Sequence, residues 1–296
     1  MRRLVYTVLP EEEGRAVRSL APRRFSLGEH AFRRLKAQGR VRVNGESVHA
    51  SRVLHAGDVL EVLLESGEGR ETGSLPAEYR GCAVRYRDED LIVVSKAAPM
   101  PTLPGAYNRN DTLREALCVL LGENPDAFRY HPVNRLDKGT SGLMAVACHD
   151  HAQRLLSQQL HTDAFVREYL AVTQGVPSRE EGLIDAPIAR AGEGARRCVS
   201  PAGQPARTHY RVERVSGGRA LIRLRLETGR THQIRVHLSS IGCPVCGDYL
   251  YGTELPQLHG RFALHSARLC CRQPVTGERI DITEPLPQEL EELMGK

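Results

Sequence analysis

Two hydrophobic periodicities divide the chain. Over residues 29–36 apolar side chains recur at helical spacing, with Ala31, Phe32 and Leu35 on one side and Arg33, Arg34 and Lys36 on the other, and Gly39 ends the run. Ser26, with Glu29 three residues on, has the spacing of a helix cap. Beyond this helix VRVNG alternates apolar and polar and turns at Asn44-Gly45; after a second turn at Gly57-Asp58, VLEVLL reads as a further strand. From about residue 80 onward strand patterns dominate. Leu91 to Val94 form an apolar run flanked by charges, and residues 142–148, 168–175, 206–215 and 219–228 follow, the last with Ile222, Leu224 and Leu226 on one face and Arg223, Arg225 and Glu227 on the other. Helical patterns fit 112–122, 149–162 and 231–242. Between the two regions ESGEGRETGSLPA offers little to bury and reads as a linker. The pattern therefore predicts a small α+β domain over 1–64, a linker over 65–77, and a larger mixed α+β domain over 78–296, with a largely antiparallel central sheet and flanking helices.

Composition narrows the function. The 296 residues contain no apolar run near the roughly 20 residues of a membrane helix, and the opening MRRLVYTVLPEEE turns acidic before a signal-like stretch can develop, so a cytoplasmic protein with no membrane partner is expected. The 8 Cys stand singly or as neighbours in a chain large enough to build its own core, and are read as reduced thiols. The net charge of +5 lies wholly in residues 1–64, which hold 12 Lys and Arg against 7 Asp and Glu; the remainder balances at 29 of each. Arg outnumbers Lys heavily, and its planar fork grips phosphate bidentately. A GC-rich genome also favours Arg, so the clustering points to nucleic acid more strongly than the total does.

Two stretches carry candidate chemistry. In HPVNRLDKGTSGLMAVA, residues 131–147, Asp137 stands between Arg135 and Lys138 and before a turn-prone Gly-Thr-Ser-Gly that leads into an apolar strand. Neighbouring positive charge would keep that carboxylate ionised. By itself the segment suits an Asp capping a turn better than a catalytic one. In LETGRTHQIRVHLSSIGCPVCGDYLYG, residues 226–252, Arg230 precedes a helix on which His232, Arg235 and Ser239 project while Ile234, Val236 and Leu238 supply apolar contacts. Such a basic helix start is arranged to hold an anion, either a phosphate or a buried Asp. Neither GxGxxG nor GxxxxGK[ST] occurs, so no nucleotide cofactor is indicated. Cys243 and Cys246 form a CxxC that could join Cys270, Cys271 and His265 around zinc, but adjacent cysteines chelate poorly, and no metal is expected. His131, His149, His151 and His161 are read as local hydrogen-bonding groups.

Taken together, these segments resemble the RluA family of pseudouridine synthases: RLDKGTSGL matches the family's RLDxxTSGL signature and TGRTHQIRVHL its second signature. Between them VREYLAVTQG looks like the family's KxYLAxxxG, with Arg167 where Lys is usual, and GDYLYG, LHSARL and QPVTGE follow as landmarks in order. Asn134 stands where many relatives have His, and Lys96-Ala97-Ala98-Pro99 where KPxG is usual. Residues 15–64 resemble the alpha-L RNA-binding motif, in the order helix, GRVRVNGESV, HAGDVLEV. The resemblance implies conversion of uridine to pseudouridine in structured RNA, ribosomal rather than transfer RNA, by a monomer that needs no metal or organic cofactor. It implies that Asp137 is the nucleophile, that Tyr169 stacks on the target uracil and helps remove its proton, and that Arg230 pairs with Asp137. Lys96, Arg135, Lys138, His232, Gln233 and Arg235, with Arg33, Arg34, Lys36 and Arg42 of the small domain, are expected to contact RNA. Whether Asp137 attacks the ribose, attacks the ring or takes a sugar proton is left open by these residues, and a non-catalytic RNA-binding protein on the same fold is the alternative.

Overall fold

A computed structural model describes residues 2–64, 77–105, 111–126, 128–160 and 162–295. The linker expected over 65–77 lies outside the described residues except for Ala77, and so does His161. Among the described residues no helix is long and apolar enough to cross a membrane.

The first 64 residues form β1 (Arg2–Thr7), α1 (Val17–Arg24), α2 (Glu29–Ala37), β2 (Val41–Val43), β3 (Glu46–Ser47) and β4 (Val59–Leu64), with sheet order β1-β4-β2-β3. Their core, which includes Leu4, Leu20, Phe32, Leu35, Leu54 and Val62, draws on no residue beyond Leu64. Strand β1 is absent from the sequence expectation, because Leu4 turns inward while its neighbour Val5 is exposed, too short an alternation to stand out. Nor does Ser26 cap α2. It adopts a left-handed conformation, φ 50°, that turns the chain out of α1, and Gly28 is the cap, with no side-chain bond. Phe32 and Leu35 are buried on α2, leaving Arg33 and Arg34 exposed.

The larger part runs β5 (Glu78–Tyr79), β6 (Cys82–Arg87), β7 (Leu91–Lys96), α3 (Leu113–Leu120), β8 (His131–Pro132), β9 (Ser141–Ala147), α4 (Asp150–Gln159), β10 (Val166–Gln174), β11 (Glu181–Asp185), β12 (Ile188–Arg190), β13 (Arg197–Val199), β14 (Arg207–Ser216), β15 (Arg219–Leu226), α5 (Gln233–Ser240), β16 (Leu264–Arg272), β17 (Arg279–Thr283) and α6 (Gln288–Glu291). The main sheet has the order β11-β14-β15-β10-β16-β9-β7-β6-β5, with β17 beside β16 and β8 beside β9. It is antiparallel throughout except where β16 meets β9 in parallel, His265 opposite Ser141. Strand β9 is buried on both faces. Met144 and Val146 join a core that includes Leu113, Ala116 and Leu117 of α3, whereas Leu143, Ala145 and Ala147 join another with Ala152 and Leu156 of α4. Helices thus cover the two sides of the sheet, and a continuous apolar run is what such a strand requires.

The two parts meet through ion pairs. Arg34 lies 2.9 Å from Asp150 at the start of α4, and Arg2 pairs with Glu89 and, at 3.3 Å, with Asp90.

Candidate active site

The segment leading to β9 is fixed from beneath by its own backbone. Thr102 Oγ1 donates to the Leu136 carbonyl at 2.7 Å and accepts the Leu136 amide, and the Met100 amide donates to the Lys138 carbonyl. Lys96 Nζ donates to the carbonyls of Ala97, Met100 and Lys138 at 2.9, 2.8 and 3.4 Å. Asp137 is bracketed by these bonds, so its carboxylate is presented from a held backbone. Two glycines permit the approach. Gly142 sits at φ 104° with the Ser266 carbonyl 2.3 Å from where a Cβ would be, and a Cβ on Gly139 would strike the Phe262 ring. Lys96 is fully buried, and that burial pushes its ammonium down to about 7, against the pull of Asp137. It is a brace within the loop and not the RNA contact expected of it.

A second correction concerns the partner of Asp137. Arg235, on α5, places Nη1 3.0 Å from Asp137 Oδ2. Arg230 lies in the preceding turn, where its Nε donates to the Pro205 carbonyl. Arg235 is 2% exposed, and its Nε and Nη2 donate to the two oxygens of the fully buried Asp248 at 2.6 and 2.8 Å. The guanidinium also lies over Phe262, 4.1 Å from the ring centroid, and over Tyr251 at 5.0 Å. An Arg so enclosed cannot be a surface RNA contact. Flanked by buried Ile234 and Val236, it had to be paired internally, because a buried charge without a partner is costly. Asp248 and Tyr251 stand in the GDYLYG landmark, whose order was legible but whose roles only the fold supplies.

Gln233 is buried as well. Its Oε1 accepts the Arg230 amide and the Thr228 hydroxyl, and its Nε2 donates to the Arg207 carbonyl and Thr208 Oγ1. It shapes the turn and is not available to RNA. His232 takes a left-handed backbone conformation at φ 58°, a strained choice for a residue with a Cβ. The Tyr251 hydroxyl accepts the Arg197 amide at 2.8 Å and shares a hydrogen bond of 2.9 Å with His232 Nδ1, whose Nε2 faces Asp137 Oδ2 at 3.9 Å. Burial lowers the His232 pKa, with Asp137 opposing.

Tyr169, on β10, faces the same cavity. A register shift between Glu168 and Tyr169 in the pairing with β16 leaves Ala267 unmatched, a bulge beside the site. Burial raises the Tyr169 phenol, partly offset by Arg167, so at neutral pH it offers a neutral ring and hydroxyl rather than a base. Arg135 and Lys138 are exposed at the mouth. The cavity, about 790 Å³, is lined by Asp137, Arg167, Tyr169, Gly229, His232 and Arg235 among others, a size that admits a nucleoside. A larger space of about 1060 Å³ lies between α2 and the start of α4 and contains neither Asp137 nor Tyr169. The smaller cavity is the candidate site because it alone of these two brings a carboxylate, a paired guanidinium and an aromatic ring together. Among the described residues no group of three or more His, Cys, Asp or Glu could hold a metal ion, and all eight cysteines are free.

A mixed sheet that brings one carboxylate, a buried paired guanidinium and an aromatic ring to an open, Arg-lined pocket has the make-up of an enzyme site. The chain matches the RNA pseudouridylate synthase family over residues 90–240, a span holding Asp137, Tyr169, Arg230 and Arg235, and it belongs to that family, in its RluA type. It is 37% identical over 257 residues to "Uncharacterized RNA pseudouridine synthase YjbO" of Bacillus subtilis, covering 86% of this chain and 90% of that one. It is 37% identical over 253 residues to "Ribosomal large subunit pseudouridine synthase D" of Haemophilus influenzae, covering 81% and 77%. Among solved structures, "Human RNA Pseudouridylate Synthase Domain Containing 1" superposes with a TM-score of 0.56 at 26% identity, covering 73% of this chain and 86% of that one. "Human RNA Pseudouridylate Synthase Domain Containing 4" gives 0.57 at 25%, covering 70% and 90%. The protein is an RNA uridine-to-pseudouridine isomerase.

Proposed function

We propose that this enzyme isomerises uridine in large-subunit ribosomal RNA, with Asp137 as nucleophile, Arg235 as the cation paired with it, and Tyr169 as the surface on which the uracil stacks. The observation that carries the reading is the Asp137–Arg235–Asp248 chain. Arg235 is fixed at one end by a buried carboxylate, so its remaining N–H meets Asp137 without reorganisation. The reaction breaks the bond from ribose to ring nitrogen, turns the free base and rejoins it through carbon 5. That requires a carboxylate at the sugar and walls that retain the base, and the chemistry calls for no metal or organic cofactor. The target uridine must leave its stack to enter, at a cost of a few kcal/mol. The ribosomal target is supported by relatives that bear the name ribosomal large subunit pseudouridine synthase D.

Pseudouridine mapping of total RNA from cells with and without the gene tests this. Discrete sites should vanish from large-subunit ribosomal RNA. Loss of sites in transfer RNA alone would overturn the target, and failure of purified enzyme to convert any unmodified transcript would favour the RNA-binding alternative.

Residues 1–64 serve, in the same proposal, as an alpha-L-type docking module that lays α2 and β2 against RNA phosphates, while Arg135, Lys138 and His232 meet the strand at the mouth of the cavity. Arg33, Arg34 and Arg42 are exposed. Arg33 pairs with Glu29 and Arg34 with Asp150, but exposed pairs are worth only about 0–1 kcal/mol, and a phosphate can displace them. Replacing Arg33, Arg34 and Lys36 by Gln should weaken binding to any RNA and flatten the salt dependence of log K by roughly 0.7–0.9 per lost phosphate contact. A titration of affinity against salt concentration checks this, and an unchanged slope would remove α2 from the interface.

A further inference from the structure

We propose that Arg167 holds the negative charge that the uracil carries while it is detached from the ribose. The inference rests on the assignment of this cavity as the isomerase site. Arg167 lies two residues before Tyr169 on β10 and lines the same cavity as Tyr169 and Asp137. It is 6% exposed, yet its Nε and Nη2 are buried with no hydrogen-bond partner. No ion pair among the described residues answers its charge, whereas Arg235, equally buried, is met by two carboxylates. The turn before α5 closes over it, since a Cβ on Gly229 would stand 3.0 Å from Arg167 Nη1. A buried cation left this way is costly unless an anion enters the cavity during turnover.

Two anions are available, an RNA phosphate and the departing base. A phosphate stays with the strand, where the exposed Arg135 and Lys138 stand. Arg167 lies deeper, close enough that its charge acts on the Tyr169 phenol, the surface assigned to the uracil. Depth therefore favours the base. When the C1′–N1 bond breaks, the bonding pair goes to N1, and Asp137 takes up C1′. The detached uracil is then an anion, its charge shared with O2 and O4. After it turns, C5 returns the pair to C1′, the Asp137 carboxylate leaves, C5 loses its proton, and N1 gains one. The ring bears the same charge if Asp137 instead takes the C2′ proton and later returns it. A guanidinium over O2 or O4 would lower the barrier to cleavage and keep the free base from escaping.

Single-turnover conversion, read as loss of the C1′–N1 bond because a C5 that bears fluorine has no proton to give up after rejoining, and RNA affinity of the full-length enzyme, measured on a transcript carrying uridine or 5-fluorouridine at the target, test the proposal. Fluorine withdraws charge from the ring, so that anion needs less help. Arg167→Met should slow conversion of uridine about 100-fold with unchanged affinity, and slow conversion of 5-fluorouridine by only about tenfold. Arg167→Lys, which keeps the charge, should stay within about tenfold of wild type on uridine. Arg167→Gln carries the same comparison should the Met variant fail to fold. Equal losses on both bases, a Lys variant no faster than Met, or weakened binding at an unchanged rate would each overturn the assignment, the last in favour of a phosphate contact. Asp137→Asn measured alongside separates the two levels, because turnover by that variant would overturn the assignment of the site itself.

Discussion

Asp137→Asn is expected to leave no measurable pseudouridine while fold and RNA affinity stay as in wild type. The carboxylate is partly open to the cavity, and among the described residues its one hydrogen bond is with the N–H of Arg235 at 3.0 Å, which an amide oxygen can also accept. Packing therefore changes little. The amide, however, carries no negative charge with which to take up C1′ or a sugar proton. Removing a nucleophile from a preassembled site commonly costs on the order of 10⁴-fold or more in rate. Quantifying pseudouridine in a stoichiometric transcript after a long incubation, with a gel-shift affinity on the same preparation, checks both halves. Conversion within about tenfold of wild type would remove Asp137 from the chemistry.

The second large effect is expected at Arg235. Arg235→Met leaves Asp248 fully buried with, among the described residues, only the amides of Leu250 and Tyr251 bonded to it, and it frees Asp137 from its partner. Breaking a buried pair by removing one member costs about 3–5 kcal/mol, a large share of a typical folding free energy. Urea unfolding should register that loss. Arg235→Lys should unfold closer to wild type but remain slow, by about 100-fold or more, because a point charge cannot span both carboxylates at once. Arg230→Ala provides the contrast. Its side chain donates to one backbone carbonyl, so conversion should fall only severalfold. If Arg230→Ala proved as damaging as Arg235→Lys, the pairing would have to be redrawn.

The difference between these two arginines shows where sequence stops. Asp137 and Tyr169 were picked out by their motifs, and the structure brings both to one cavity, while the roles given to them rest on the resemblance. Two arginines five residues apart, one before a helix and one on it, carry the same local signal. Which of them meets Asp137 depends on how α5 packs across 98 residues of sequence separation. A burial reading would have chosen Arg235, since Ile234, Val236 and Leu238 leave no solvent face around it. The same blindness to burial assigned Lys96 and Gln233 to RNA, when one braces the loop of Asp137 and the other the turn before α5. Strands β9, β10, β14 and β15 were found to within a few residues because their patterns are long, but β16, nine residues long and central to the sheet, was missed because His265, Ser266 and Arg268 interrupt its apolar run. Short or weakly alternating ones, β1, β12 and β13 among them, were missed, since their pairing is decided by partners distant in the chain.

One consequence lies in β9 itself. Its alternate side chains belong to two separate cores, one under α3 and one under α4, and its first residue begins the parallel contact with β16. Asp137 stands four residues before that strand. A strand shared by two cores ties the opening of either half of the domain to the base of the Asp137 loop, so the β9 amides are expected among the slowest of the domain to exchange with solvent.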